Sequence, residues 1–327
     1  MIRLLWRTDV HISDHTPRSR KDNWTETILR KLKWCGELAN EHKCDAVIDG
    51  GDFFDIKSPS RNSHQMVQQV AEIHEDYVCP TYVNVGNHDV KYGDIEYLGE
   101  SPLGVLFSSG VFQRLYDQHE LIITNEHRGP DNREPIKVRV VGIPYHGTEY
   151  DWERFASIKK GDEDYLIVIA HVLASKKGGS MFEGEDIIRY SSLADLDPDV
   201  WAFGHWHKDQ GIEEIAPGKW VVNVGSFSRG SLSQDSLTRK PCAVLMEFGE
   251  SIRLERHNVP ILEPEKVFDV EAKQRAEERT EAMETFMTQL QNSMSDAEEG
   301  SSLESVIQGA NVADKVKEIA LMYLEQA

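Results

Sequence analysis

Positive charge is scarce in this chain: 36 Lys and Arg face 56 Asp and Glu over 327 residues, a formal net charge of −20. Non-specific nucleic-acid affinity comes largely from Lys and Arg displacing counterions at phosphates. A polyanion-binding surface spread over the whole molecule is therefore excluded, and any grip on DNA has to be local or supplied by a partner. Cysteine is also sparse. Cys35, Cys44, Cys79 and Cys242 fall at irregular spacings with no Cys-x-x-Cys pair, which argues against a zinc knuckle or a secreted disulfide framework and for reduced thiols. Long apolar runs are missing too. Segments such as Tyr165-Leu-Ile-Val-Ile-Ala170 are strand-length, short of the roughly 18 residues a membrane helix needs, so no bilayer span is expected. The amino-terminal segment carries charges inside its apolar stretch and has no small-residue cleavage site. The expected location is the cytoplasm, or the host cytoplasm for a phage-encoded chain.

What the chain does have is alternation. Apolar runs at 3–8, 45–49, 81–85, 137–143, 165–170 and 200–203 end in Gly, Asp, Asn or His and predict buried strands. Helical patterns separate them. Over 24–42, Trp24, Ile28, Leu32, Cys35 and Ala39 share a face behind Asn23 with Glu26, and 61–77 places Met66, Val70 and Ile73 in register. This order implies an α/β layered core. After residue 208 the pattern becomes strands without helices (211–215, 219–224, 241–248, 251–258), up to Pro260 and Pro264. Beyond these lie two amphipathic stripes, Met283, Phe286, Met287 and Leu290, then Val312, Val316, Ile319, Ala320 and Tyr323, joined by a polar linker at 292–305.

The chemistry sits where strands end. Strand 3–8 runs into Asp9-Val10-His11, strand 45–49 into Gly51-Asp52-Phe53-Phe54-Asp55, strand 81–85 into Gly86-Asn87-His88-Asp89, strand 165–170 into His171, and strand 200–203 into Gly204-His205-Trp206-His207. Ligands of α/β sheets bind beyond the carboxyl ends of strands, so these loops can converge. Asp-x-His alone carries nothing, since Asp117-Gln118-His119 also matches. The ordered set is different. It resembles the calcineurin-like metallophosphoesterase superfamily, whose blocks are Asp-x-His, Gly-Asp-x-x-Asp, Gly-Asn-His-Asp, a lone His after a strand, and Gly-His-x-His.

The resemblance covers about residues 1–225 and implies a four-layer αββα sandwich with a dinuclear metal site. It implies that Asp9, His11 and His207 bind one metal, that Asn87, His171 and His205 bind the other, and that Asp52 bridges. His88 would touch the scissile phosphate as general acid or charge stabiliser, oriented by Asp55, while Asp89 closes its loop by hydrogen bonds. Mixed imidazole, carboxylate and amide ligands suit manganese, iron or zinc better than an all-oxygen ion; manganese is the expected metal, with magnesium also considered.

Protein Ser/Thr phosphatases of the superfamily carry Gly-Asp-x-Val-Asp-Arg-Gly and Gly-Asn-His-Glu. Here the blocks read Gly51-Asp-Phe-Phe-Asp-Ile-Lys57 and Gly-Asn-His-Asp, without the phosphate-clamping Arg. The layout is more similar to SbcD-type DNA repair nucleases, including phage recombination nucleases that work with an SMC-like ABC ATPase of the SbcC type. The Gly142-Ile-Pro-Tyr145 and Val224-Gly225-Ser226-Phe-Ser-Arg229 segments carry this likeness, although many cellular members have His where this chain has Asp55. The resemblance implies a nuclease domain over 1–225, a β-rich cap over 226–263 and a helical, ATPase-docking tail over 264–327. Arg18, Arg20, Lys21, Lys176, Lys177, Lys208 and Arg229 are the candidate DNA contacts. A homodimer through 61–77 and about 95–108 is expected, where Tyr97, Leu98, Leu103, Val105, Leu106 and Phe107 cluster. A small-molecule or nucleotide phosphoesterase, and a metal-poor scaffold of the same fold, are the alternatives.

Overall fold

Each central strand buries both faces, which is why its sequence is a nearly unbroken apolar run. In β1 (Ile2–Arg7), Ile2, Leu4 and Trp6 point to one core and Leu5 to another. The period of two side chains along a strand makes the division. The computed structural model describes residues 1–55, 62–125, 135–178, 184–271, 275, 280, 303–309 and 314–325.

One sheet takes in β2 (Ala46–Asp49), β3 (Thr81–Val83) and β4 (Phe112–Arg114), all parallel to β1. The second contains β5 (Leu121–Thr124), β6 (Lys137–Ile143), β7 (Tyr165–His171), β10 (Val200–Gly204), β11 (Gly211–Ala216) and β12 (Lys219–Asn223), in the order β11-β12-β10-β7-β6-β5. A short parallel pair, β8 (Ala174–Ser175) and β9 (Ile188–Arg189), lies apart. The two sheets face each other across a core of Leu4, Trp6, Ile48, Val140, Ile167, Ile169 and Val222. On the outer face of the first sheet lie α1 (Trp24–Glu41), α2 (His64–Glu75) and α3 (Pro102–Ser108); α4 (Trp152–Ala156) and α5 (Tyr190–Leu193) cover the second, against Trp201 and Phe203. The αββα sandwich is thus present. Asn23 caps α1 by accepting from Glu26 N, as its sequence position suggests.

Residues 226–263, expected as a cap or accessory β segment, join the first sheet. They supply β13 (Cys242–Phe248) and β14 (Ile252–Asn258), which extend the first sheet to the order β14-β13-β1-β2-β3-β4. The strand pattern was legible, but alternation does not say which edge a strand joins. The compact body runs to Phe268, past the expected boundary at 264. Val267 and Phe268 are buried, and Lys21 N donates to Val267 O. In the second unit, Asp269–Ala327, helices Leu303–Gly309 and Asp314–Glu325 are joined by Lys317 Nζ donating to Gln308 O. Residues 303–305, expected as linker, are helical; the rest of the linker and the Met283 to Leu290 stripe lie outside the described residues.

Around α3, Leu98, Leu103, Leu106 and Phe107 pack into the chain's own core, leaving Tyr97 and Val105 exposed. All four cysteines are buried free thiols. Among the described residues no helix is long and apolar enough to cross a membrane.

Gly142 of β6 lets the chain segment after β4 approach closely. A Cβ there would stand 1.7 Å from the Leu115 carbonyl oxygen. Gly142→Ala is therefore expected to cost about 1–3 kcal/mol through overpacking, read as a lowered thermal midpoint with an unchanged far-UV spectrum.

Candidate metal centre

The carboxyl ends of β1, β2, β3, β7 and β10 meet at one edge of the sandwich and are stitched together by backbone hydrogen bonds. Asp9 N donates to Gly51 O and His11 N to Asp52 O, both at 3.0 Å. Asn84 Nδ2 donates to Ile143 O at 2.8 Å, tying the first sheet to the second. Asp9, His11 and Asp52 have φ near +53° and His205 has φ +82°. Non-glycine residues rarely adopt this left-handed region, and such strain concentrates where a side chain must be aimed. Glycine serves close approach here: a Cβ on Gly86 would meet Asp52 Oδ1 at 2.1 Å, and one on Gly51 would meet Gly86 N at 2.7 Å.

Two groups of donors share Asp52. The first is Asp9, His11, Asp52 and His207; the second is Asp52, His171 and His205. Asp52 Oδ1 accepts from His88 N at 2.8 Å, while its buried Oδ2 has no hydrogen-bond partner and lies 3.2 Å from His171 Nε2. His171 Nδ1 donates to Gly50 O at 3.0 Å, which leaves the Nε2 lone pair facing Asp52, and that Nε2 is also unpartnered. Asn87 Oδ1 is a third buried orphan. Buried polar atoms are ordinarily satisfied, so three acceptors converging without donors fit a cation. Asp9 Oδ1 accepts from His205 N at 3.0 Å, and Oδ2 from Thr8 Oγ1 at 2.8 Å.

The protonation pattern says the same. Burial works against the charged form of His171, but Asp52 and Asp9 outweigh it and lift the imidazole to about 10. Burial likewise opposes charge on His11, yet Asp55, Asp52 and Asp9 raise it to about 9. His207 keeps its outer edge in solvent while its Nε2 lies 2.8 Å from that of His11. Desolvation on the inner side, and then the charge on His11, push it down to about 4. Burial would raise Asp52, but His171, His88 and His11 hold it well below the usual carboxylate range. The field of these carboxylates draws positive charge into the cluster, and the donor set fits two divalent ions held by Asp9, His11, His207, Asn87, His171 and His205 around Asp52.

His88 stands at the rim, about one-third exposed. Its Nδ1 donates to the Asp55 backbone carbonyl at 2.9 Å, with the Asp55 carboxylate farther off at 3.6 Å. Asp55 therefore orients His88 mainly through its main chain, while its carboxylate lies 3.3 Å from His11 Nδ1. Asp89 accepts from Asp52 N, Phe54 N and Gly86 N at 2.8, 3.0 and 2.9 Å, holding two loops together.

Glu185 was not singled out by sequence. Its Oε1 accepts from His205 Nε2 at 2.9 Å and from Tyr150 OH at 2.7 Å. This fixes the His205 ring, as partners of metal-ligating imidazoles do. Only its place shortly before β9 marks it, and no spacing rule points there. His146, which also follows a strand, packs against Tyr150 and Phe155.

The candidate DNA contacts divide. Arg18, Lys21, Lys176, Lys177 and Lys208 are exposed, with Lys176 paired to Glu213 at 2.7 Å. Arg20 and Arg229 are buried and committed internally. Arg20 pairs with Asp22 at 2.6 Å and donates to Arg229 O, and Arg229 donates to Ser236 O and Leu262 O. Their guanidinium groups hold the 226–263 segment to the body, which corrects the expectation for both.

Replacing Asp52 by Asn removes the one charge shared by both donor groups. Elemental analysis of purified Asp52→Asn is expected to show metal lost from both positions together; selective loss of one ion would mean that Asp52 does not bridge.

Residues 2–209 match the calcineurin-like phosphoesterase family. The sequence matches no curated protein. Among solved structures, a dimetal phosphatase from Danio rerio is similar at 10% identity and TM-score 0.49, covering 79% of this chain and 96% of that one. A Thermus thermophilus protein gives 17% and 0.45, covering 79% and 99%, and an archaeal phosphodiesterase 16% and 0.37, covering 78% and 100%. With the family match spanning well over half the sequence and its ordered donors gathered at one sheet edge, this chain belongs to the calcineurin-like phosphoesterase family.

Proposed function

We propose that the chain is a two-metal phosphodiester hydrolase acting on DNA, the nuclease half of an SbcCD-like recombination or repair complex with an SMC-like ABC ATPase. The carrying observation is the breadth of the cleft over the metal centre. The cleft has a volume of about 770 Å³ and extends from His88 and His207 past Tyr145 to the 226–239 segment, more room than a single phosphate needs. Among the described residues lining it, Lys208 is the one Lys or Arg not committed to an internal partner; Arg229 and Arg239 donate to backbone carbonyls, Arg239 also pairs with Asp235 at 2.8 Å, and Asp55 and Glu185 carry carboxylates. Two divalent ions, manganese by preference, would be held by Asp9, His11, His207, Asn87, His171 and His205 around Asp52 and would supply Lewis acidity and activation of water near neutral pH. The chain's own contribution is to hold those ions and to present His88. With Nδ1 fixed on Asp55 O, the His88 Nε2 is the atom left to carry a proton to the leaving oxygen.

The exposed Arg18, Lys21, Lys177 and Lys208 suit contacts that position a phosphate backbone without reading sequence. The ATPase would supply much of the affinity that a chain of net charge −20 lacks. Self-association belongs to the same reading, through α2 and the exposed Tyr97 and Val105 beside it.

The test is manganese-dependent digestion of single- and double-stranded DNA, beside a mononucleotide and a generic phosphodiester, with and without an SbcC-type ATPase. Cleavage of DNA and diester, stimulated by the ATPase, is expected; turnover of the mononucleotide alone would assign a small-molecule phosphoesterase. His88→Ala should keep both metals yet lose about 10²–10⁴-fold in rate, and loss of metal in that variant would make His88 a ligand. Truncation after Phe268 should leave diester cleavage intact and abolish ATPase association, and pull-down at unchanged affinity would refute docking by the tail.

A further inference from the structure

We infer that the cavity between α1 and the Pro260–Leu262 segment binds a phosphate-class oxyanion. The cavity has a volume of about 170 Å³ and is lined by Arg20, Arg30, Lys31 and Arg229 together with Ile261 and Leu262. A liquid water occupies about 30 Å³, so there is room for a tetrahedral ion with some of its hydration.

The charges around this space do not balance. Arg20 is neutralised by Asp22, which takes two of its N–H groups at 2.8 and 2.6 Å. Lys31 is only 4% exposed, and its hydrogen bond is to a backbone carbonyl, Phe227 O, at 3.3 Å. Arg229 is 3% exposed and donates to the carbonyls of Ser236 and Leu262, with Glu263 the carboxylate nearest in influence. Arg30 donates to Thr27 Oγ1 at 3.3 Å. Three basic side chains, the buried Lys31 and Arg229 and the exposed Arg30, thus meet without a hydrogen-bonded carboxylate, in a chain with a large excess of acid. A buried charge without a counterion is costly, and the group neutralises where it can. Burial first, then Arg20, Arg229 and Arg239, hold the Lys31 ammonium well below its ordinary range.

An oxyanion removes this imbalance. Donors come from two segments, Arg30 and Lys31 on α1 and Arg229 on the stretch that follows β12. That arrangement suits the several acceptors of a phosphate better than the two of a carboxylate. The apolar wall is compatible with a free ion or with the sugar of a nucleotide. The metal centre is a separate site, although Arg229 borders both spaces.

Calorimetric titration of the metal-loaded full chain with inorganic phosphate should resolve two classes of site, one at the metals and one dependent on Lys31. Lys31→Met, which keeps the buried stem, should weaken the second class by about tenfold or more, the loss of one charge-assisted hydrogen bond. It should also raise the thermal midpoint in phosphate-free buffer by removing a buried basic group with no carboxylate partner, whereas added phosphate, which favours the ammonium form, should raise the midpoint of the wild type more than that of the variant. Arg30→Gln, at an exposed position, should weaken the same class without changing the midpoint. A nucleoside 5′-monophosphate titrated alongside separates the sources: tighter Lys31-dependent binding than phosphate assigns a nucleotide, and equal binding assigns the free ion. A single class of site, untouched by Lys31→Met and Arg30→Gln for both ligands, would overturn the inference.

Discussion

The placement of the Asp52 carboxylate governs the architecture around it. It is buried, it has one oxygen tied to His88 N, and the other faces imidazoles with no donor of its own. An isolated carboxylate cannot be held in such a place without compensation. The surrounding elements are arranged around that constraint. Gly51 and Gly86 bring two backbones within reach of it, Asp89 fixes the loop that carries it, and both sheets end their parallel strands facing it. The left-handed backbone at Asp9, His11, Asp52 and His205 is the conformational cost of aiming four side chains into one volume.

Much of this was legible in the sequence because it follows short-range rules. Strands β1, β2, β7 and β10 read as apolar runs since both their faces are buried, and each run ends in a donor because loops at carboxyl ends face the ligand. β4 and β5 were not read. Phe112–Arg114 buries only its first residue and Leu121–Thr124 is an edge strand, so neither shows a sustained pattern. The sheet that residues 242–258 join was not legible for a different reason. Residues 242–258 carry a clear strand signal, but β13 joins the sheet through β1, at the start of the chain, and pairing over that sequence separation leaves no local trace. Glu185 escaped for the same reason: its partner His205 is 20 residues on and no motif joins them. The resemblance that the blocks suggested was the right one at the level of the family.

Cations were the hardest residues to assign. Sequence position placed Arg20 and Arg229 on loops at the active-site end, which is where they lie. Yet their guanidinium planes stack near Phe268, with Arg20 over Trp24 as well, and their N–H groups bind carbonyls of the chain. Position along a chain tells which end of a sheet a residue occupies and not which way a long side chain folds back.

The pairing of β1 with β13 also sets an order of assembly. β1 lies between β2 and β13, from Ile2 opposite Phe248 to Trp6 opposite Val244. During synthesis the first strand leaves the ribosome with one of its two edges unclaimed, and its partner arrives only after the whole second sheet has been made. Long-range pairing of this kind slows folding and leaves a sticky strand edge open in the meantime. A nascent chain that stops at Asn223 would hold every proposed metal donor while the first sheet still presents bare β1. Fragments ending there are expected to pair with one another or with a folding helper rather than remain as a minimal enzyme.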